Sequence, residues 1–356
     1  MKTRGAVIGL VLATVFIVGG GLGLLAYRAW GPRTPPSPGT TAETPAPPVP
    51  VTVVDPYTGL PVVSASQINR RPLAVMIDNQ KDARPQSGLD QAEIVYEVIV
   101  EGGITRFMAV YLAPEVGEIG PVRSARHYFL DLALGINAIY VHAGESPQAL
   151  EQMPALGVDQ LDELVNGQYF WLSPERRRPH ATYTSTSLLR KGEANRHFTD
   201  NGTAPPPLWN FAGEPFAGRP EAKPANTVLL TYPGYVHYSI LWQFDPVRGT
   251  YVRFNDGQPQ TDKPTGKQLA ATNIIVQYVP AHRIPGDQAL RMDMSMTGQG
   301  QALFISGGLA VAGTWQKASR EAPVKYFFAD GTPLTLHPGN TWVEIIDPSA
   351  PATLGG

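Results

Sequence analysis

The stretch IGPVRSARHYF, Ile119 to Phe129, sets Arg123 and Arg126 three residues apart where a helix is expected to begin. Pro121 and Ser124 mark its start, Ala125, Phe129, Leu132 and Ile136 recur at helical spacing, and Gly135 supplies a stop signal. A helix N-terminus already carries about half a positive charge from its unpaired N–H groups, so arginine is unfavourable there unless an anion shares the site. On such a helix the two guanidiniums form a fork able to grip a carboxylate or phosphate bidentately. The anion can be internal, which makes the arginines part of a structural network, or it can be a ligand. Asp78, Glu97 and Glu101 are the internal candidates.

Further polar residues collect where buried strands are expected to end, the usual place for sites in open sheets. They are Asp78 and Asn79 after PLAVMI, Arg84 in DARPQSG, Glu101 and Arg106 around EGGITR, and then His142, Glu145 and Ser146. The expected ligand-binding set is Arg123, Arg126, Arg106, Asp78, Asn79, Glu101 and His142. His142 as base with Ser146 as nucleophile is the weaker reading, because neither G-x-S-x-G nor S-x-x-K surrounds Ser146. His180, His142 and Asp78 lack any diagnostic metal spacing, so no metal and no cofactor are assigned. Arg176, Arg177 and Arg178 read as a solvated loop or as a contact for an anionic polymer. Tyr169, Phe170, Trp171 and Tyr183 could line a sugar cleft, although YFWL fits a buried strand better. Trp242, Trp315 and Trp342 fall on strand patterns and read as core.

With 28 basic against 30 acidic residues and a pI near 6.4, the chain has no polycationic field for nucleic acid. Cysteine is absent, which rules out disulfides, thiolate metal sites, cysteine nucleophiles and a lipid attached through cysteine. From Gly5 to Ala26 no side chain is charged, a length that matches the ~20 residues needed to cross a bilayer as a helix. A cleaved signal peptide is the competing reading, but the apolar run is too long and no A-x-A-like site follows. The expectation is therefore a single-pass membrane anchor with the rest of the chain outside the cytoplasm. Gly31 to Val51, rich in proline and threonine, reads as a semi-rigid spacer.

Between Val53 and Asp200 strand-like and helix-like segments alternate. PLAVMIDN and AIYVHAG are continuous apolar runs, as in strands covered on both faces, and two β-rich runs flank Gly102-Gly103 as a hairpin. Helices are expected at Ser87 to Glu93, Pro147 to Leu156 and Ser185 to Phe198. Asn201 to Asn226 breaks the pattern with proline and glycine. Beyond it the chain reads almost wholly as strands. The predicted architecture is α+β: an anchor over 1–30, a linker over 31–52, a mixed α/β domain over 53–200, a linker over 201–226, a smaller antiparallel β-rich domain over 227–348 and a tail over 349–356.

The runs RRPLAVMIDNQKDARPQSGLDQAEIVYE, EGGITRF, IGPVRSARHYFLDLA and AIYVHAGESPQALE together resemble the YerB-like lipoprotein family, as do TGKQLAATNIIVQYV, GTWQK and LHPGNTWVEI. The resemblance covers roughly Val53 to Asp347. It implies an envelope location and an α+β domain followed by a β-rich one, and brings no settled reaction. Relatives are typically anchored by a lipidated cysteine, which this chain lacks. The expected function is a membrane-anchored extracytoplasmic binding or scaffolding protein that recognises an anionic cell-wall component or partner protein through an Arg/carboxylate pocket. Two alternatives remain open. One is a peptidoglycan hydrolase using Glu101 or Asp78 as acid/base with His142; the other is a structural spacer.

Overall fold

Three runs that are apolar at nearly every position form the middle of one large sheet: β1 (Leu73–Asp78), β2 (Ile94–Ile99) and β3 (Thr105–Tyr111) are buried throughout. Strands with no solvent face need cover on both sides, which explains why they read as continuous rather than alternating. The computed structural model describes residues 52–199, 202–232 and 238–356. The expected membrane anchor and the proline-rich spacer up to Val51 lie outside the described residues. Among the described residues no helix is long and apolar enough to cross a membrane.

β4 (Ile139–His142) and β5 (Gln160–Asp162) follow on the β1 side, both in parallel register. A short pair, β6 (Trp171–Leu172) and β7 (Thr182–Tyr183), lies apart from this sheet. Three longer strands, β8 (Thr227–Tyr232), β9 (Tyr238–Asp245) and β10 (Thr250–Asn255), make an antiparallel second sheet. The chain then returns to the main sheet with β11 (Asn273–Tyr278), β12 (Gly298–Ser306), β13 (Leu309–Lys317), β14 (Lys325–Phe328) and β15 (Thr341–Ile346). The main sheet runs β14-β13-β12-β11-β15-β2-β3-β1-β4-β5, with Lys223–Pro224 as an eleventh strand beside β13.

The insertion of β15 between β11 and β2 changes the expected architecture. β15 is parallel to both neighbours, so the second half is not a purely antiparallel unit. The segment from Asn201 to Asn226 divides the chain without dividing the sheet, and residues 52–356 form one compact unit. The hairpin between β2 and β3 is present, with Gly102 and Gly103 at positive φ (69° and 82°), a region that glycine enters without a Cβ clash. Helices α1 (His127–Gly135), α2 (Pro147–Ala155) and α3 (Thr186–Asn195) are the only α-helices among the described residues. Ser146 and Ser185 cap α2 and α3 by accepting from Ala149 N and Leu188 N. The helix expected at Ser87 to Glu93 is a single 3-10 turn, Leu89–Gln91.

Where the two halves meet, charge is buried. Glu97 of β2 and Glu344 of β15 are register partners on adjacent parallel strands, and both are fully buried. Such a pair repels unless a cation or a proton intervenes. Arg253 of β10 supplies the cation: it pairs with Glu97 through Nη2 and with Glu344 through Nη1 at 2.8 Å, while Nε reaches Gln260 at 2.8 Å. Its guanidinium lies 4.7 and 4.9 Å from the ring centres of Trp342 and Trp242. Tyr232 and Trp242 each donate to Glu344 at 2.8 Å. The indoles are thus core, as expected, and Trp315 is buried as well. Burial, reinforced by Glu344 and opposed by Arg253, pushes the Glu97 carboxyl up to about 8.

Glu97 thus holds a proton in the folded chain that the unfolded chain releases above its ordinary 4.5. The folded state binds more protons between those values, so this group makes stability fall as pH rises through the window, by at most about 1.4 kcal/mol per unit. Urea unfolding from pH 5 to 8 should show that decline, and Glu97→Gln should flatten it. Arg253→Ala, which strands two buried carboxyls, should cost about 3–5 kcal/mol in the same measurement.

Candidate functional site

The polar residues expected at the strand ends meet only in part, Arg106 and Arg126 on Glu101 and Arg123 on Asp78, through a segment that sequence periodicity misread. Residues 119–125 form an extended strap rather than the start of a helix. Isolated bridges pair Ile119 with Thr184, Gly120 with Ser87, Val122 with Ile77 and Ala125 with Glu145. The strap's backbone is consumed by these neighbours: Arg123 N donates to Met76 O at 2.9 Å and Ala125 N to Gly144 O at 2.9 Å. A residue whose N–H and C=O are spent on strands cannot also enter a helix. α1 therefore begins at His127, with Arg126 as its extended N-cap residue.

The two arginines consequently serve different carboxylates. Arg126 is buried and spends its whole guanidinium, with Nε on Glu101 Oε2 at 2.8 Å, Nη2 on Glu101 Oε1 and Nη1 on Ala125 O at 2.6 Å. Arg106, fully buried at the start of β3, joins the same carboxylate through Nη2 at 3.1 Å and gives Nη1 to Ser124 O at 2.8 Å. Burial alone would raise the Glu101 carboxyl, but Arg106 and Arg126 outweigh it and hold it well below the usual carboxylate range. A carboxylate so held stays ionised and cannot act as a general acid.

Arg123 is different. Its Nε donates to Asp78 Oδ2 at 2.9 Å, its side chain is 20% exposed, and among the described residues its two terminal nitrogens have no partner. Asp78, fully buried at the end of β1, accepts at the same oxygen from His180 Nδ1 at 2.8 Å and at Oδ1 from Gln80 N at 3.0 Å. Because a carboxylate only accepts, this contact places the ring proton of His180 on Nδ1 and leaves Nε2 bare in the neutral ring. His180 lines a cavity of about 530 Å³ together with Asp82, Glu175, Arg176, Arg177, Arg178 and Lys263. Arg178 pairs with Glu163 at 2.8 Å, Lys263 pairs with Glu175, and Arg176 donates to the carbonyls of Asp82 and Pro85 at 2.6 and 2.8 Å. Among the described residues the Arg177 side chain has no partner. The sequence places the basic run beside His180 and groups His180 with Asp78 only in a scattered metal set with His142; it carries no signal for the direct His180–Asp78 hydrogen bond, which spans 102 positions.

Asn79 does not face the ligand side. Its side chain is buried, donating to Thr105 Oγ1 at 2.7 Å and Glu97 Oε1 at 3.2 Å and accepting from Gln86 at 2.9 Å. His142 is also excluded from the site. It is fully buried, with Nδ1 2.9 Å from Gly144 O and Nε2 2.6 Å from Gln160 Oε1. Ser146 caps α2, so the pair forms no nucleophile and base. Glu145 and Asp162 approach His142 Nδ1 at 3.9 and 3.6 Å, but that nitrogen already faces a carbonyl. Of the aromatic set, Tyr169, Phe170 and Tyr183 are buried, and Trp171 stacks on Tyr183 with ring centres 6.2 Å apart.

These features define an α+β protein of two sequence segments sharing one sheet, with a cationic, solvent-open hollow at the strand ends. The description "Protein of unknown function (DUF3048) N-terminal domain" matches residues 57–199, and the corresponding C-terminal domain matches residues 230–343. The chain is 34% identical to the Bacillus subtilis (strain 168) protein "Putative lipoprotein YerB" over 82% of its own length and 85% of the relative's. It is also similar to the crystal structure of the YerB protein from Bacillus subtilis, with a TM-score of 0.74 and 31% identity over 85% of this chain and 99% of that one. The chain belongs to the YerB family.

The contrast between the two carboxylates is testable by stability. Glu101→Gln leaves Arg106 and Arg126 buried without their counter-charge and should cost about 3–5 kcal/mol in urea unfolding at neutral pH. Because Glu101 is depressed in the folded state, its contribution is present above the ordinary carboxylate range and is lost on acidification. The gap between wild type and variant should therefore narrow as pH falls through and below that range.

Proposed function

We propose that this chain is an extracytoplasmic envelope protein that binds an anionic cell-wall component at Arg123 and His180. The observation that carries the reading is the half-used guanidinium of Arg123. Arg106 and Arg126 are neutralised internally, whereas Arg123, 20% exposed, gives Asp78 one N–H, and among the described residues its terminal nitrogens have no partner. Those nitrogens offer a planar fork that suits a phosphate or carboxylate, and Arg177, without a side-chain partner among the described residues, adds charge from the neighbouring cavity wall. Asp78 acts from behind, fixing the orientation of both ligand-facing groups.

The envelope location rests on the YerB relative, described as a "Putative lipoprotein", and on the uncharged stretch from Gly5 to Ala26 of this sequence. An apolar helix over that stretch would tether the folded unit in place of a cysteine-linked lipid. The proline-rich spacer would then let the unit reach wall polymer away from the bilayer.

Co-sedimentation of residues 52–356 with purified cell wall tests the reading. The wild type should pellet with the wall, and Arg123→Gln should weaken retention by about tenfold or more, the range expected for losing a charge-assisted fork. Binding should also fall with added salt. Retention unchanged by Arg123→Gln would place the binding surface elsewhere.

A further inference from the structure

We infer that the same site turns its ligand over, with His180 as general base in the hydrolysis of a phosphodiester. The inference rests on the proposed anion-binding role and goes beyond it. Three arrangements point to it. Asp78 is fully buried and holds His180 by Nδ1 at 2.8 Å, the relation by which a carboxylate sets an imidazole's tautomer and stabilises the imidazolium that forms. The opposite nitrogen, Nε2, belongs to a side chain that is 15% exposed and lines an open cavity, so a water molecule can reach it. The walls carry Arg176, Arg177, Arg178 and Lys263 against Asp82 and Glu175, and Arg123 meets His180 on the same Asp78 oxygen.

The chemistry of these groups selects the substrate class. Glycoside hydrolysis ordinarily requires two carboxyls flanking the bond, one of them able to carry a proton. Asp78 is occluded behind Arg123 and His180, and Glu101 is locked between two arginines. Phosphoryl transfer instead places charge on non-bridging oxygens, which guanidinium forks stabilise where they stand. Water gives a proton to His180 Nε2 as its oxygen bonds to phosphorus. The bond from phosphorus to the leaving oxygen breaks with its electron pair, and the alkoxide takes a proton from solvent through the open mouth. The imidazolium then returns its proton to solvent.

The test uses the full chain with two readouts on each sample: release of p-nitrophenolate from bis(p-nitrophenyl) phosphate, and co-sedimentation with purified wall. Wild type should release p-nitrophenolate, and His180→Gln should lower the rate by about 100-fold or more, the lower end of a general base's contribution and well beyond any accompanying loss of wall binding. Arg123→Gln should weaken both readouts. The leaving group of this probe is so good that a wild type which binds wall yet releases nothing overturns turnover and leaves binding standing. Release that persists in His180→Gln also overturns it. Release that depends on His180 in a chain that ignores wall supports the chemistry and removes the wall ligand instead.

Discussion

The Asp78 carboxylate is the constraint on which the site depends. It is fully buried, and a buried charge without partners is too costly to persist. Its partners come from distant parts of the chain, Arg123 from the strap and His180 from the loop before β7, and both converge on one oxygen. Satisfying Asp78 uses one edge of each side chain and leaves the other, on partly exposed side chains, without a partner among the described residues. A cost incurred for stability thereby fixes two solvent-facing groups that can meet an anion.

Asp78 is held in turn by the buried charge between the two halves of the sheet. Glu97 bonds to Asn79, the residue after Asp78, and Asn79 accepts from Arg84, Gln86 and Gln260. Arg253 connects Glu97 to Glu344 and to Gln260. A polar chain therefore runs from β15 through β10 and β2 to the end of β1. Replacing such a network with apolar side chains of equal volume is often neutral for stability, so its presence argues more for fixed geometry than for strength. Here the geometry fixed is the register of β15 against β2, which makes one sheet from two sequence segments.

Much of this was legible beforehand. Continuous apolar runs located β1 and β4, the Gly102-Gly103 pair located the hairpin, and the helices expected at Pro147 to Leu156 and Ser185 to Phe198 are present as α2 and α3. The family resemblance, carried by the runs around Asp78, Arg123 and His142, agrees with the relatives found. Three features were hidden for physical reasons. The strap carries helical spacing, but its backbone is claimed by β1 and the turn after β4, and tertiary bonding outranks local periodicity. In β10 the pattern is inverted, with Arg253 and Asn255 buried while Val252 and Phe254 are half-exposed, because the partner carboxylates lie on strands elsewhere in the chain. His180 and Asp78 appear together in the sequence only as a scattered set without metal spacing, and nothing in the basic, proline-containing loop foretells their direct hydrogen bond across 102 positions.

The arginine puzzle of the opening sequence thus has a split answer. Arg126, at the head of α1, has an internal anion in Glu101, whereas Arg123 is outside the helix and has only half of one. The distinction rests on how Asp78 divides its oxygen between Arg123 and His180, and the most direct test is the protonation pattern of the His180 ring. Long-range nitrogen–proton NMR on the neutral ring should show the proton on Nδ1, hydrogen-bonded, with Nε2 bare and the pattern lost in Asp78→Asn. A proton on Nε2 with Nδ1 bare would mean that Asp78 does not hold the ring, and the site as described would not exist.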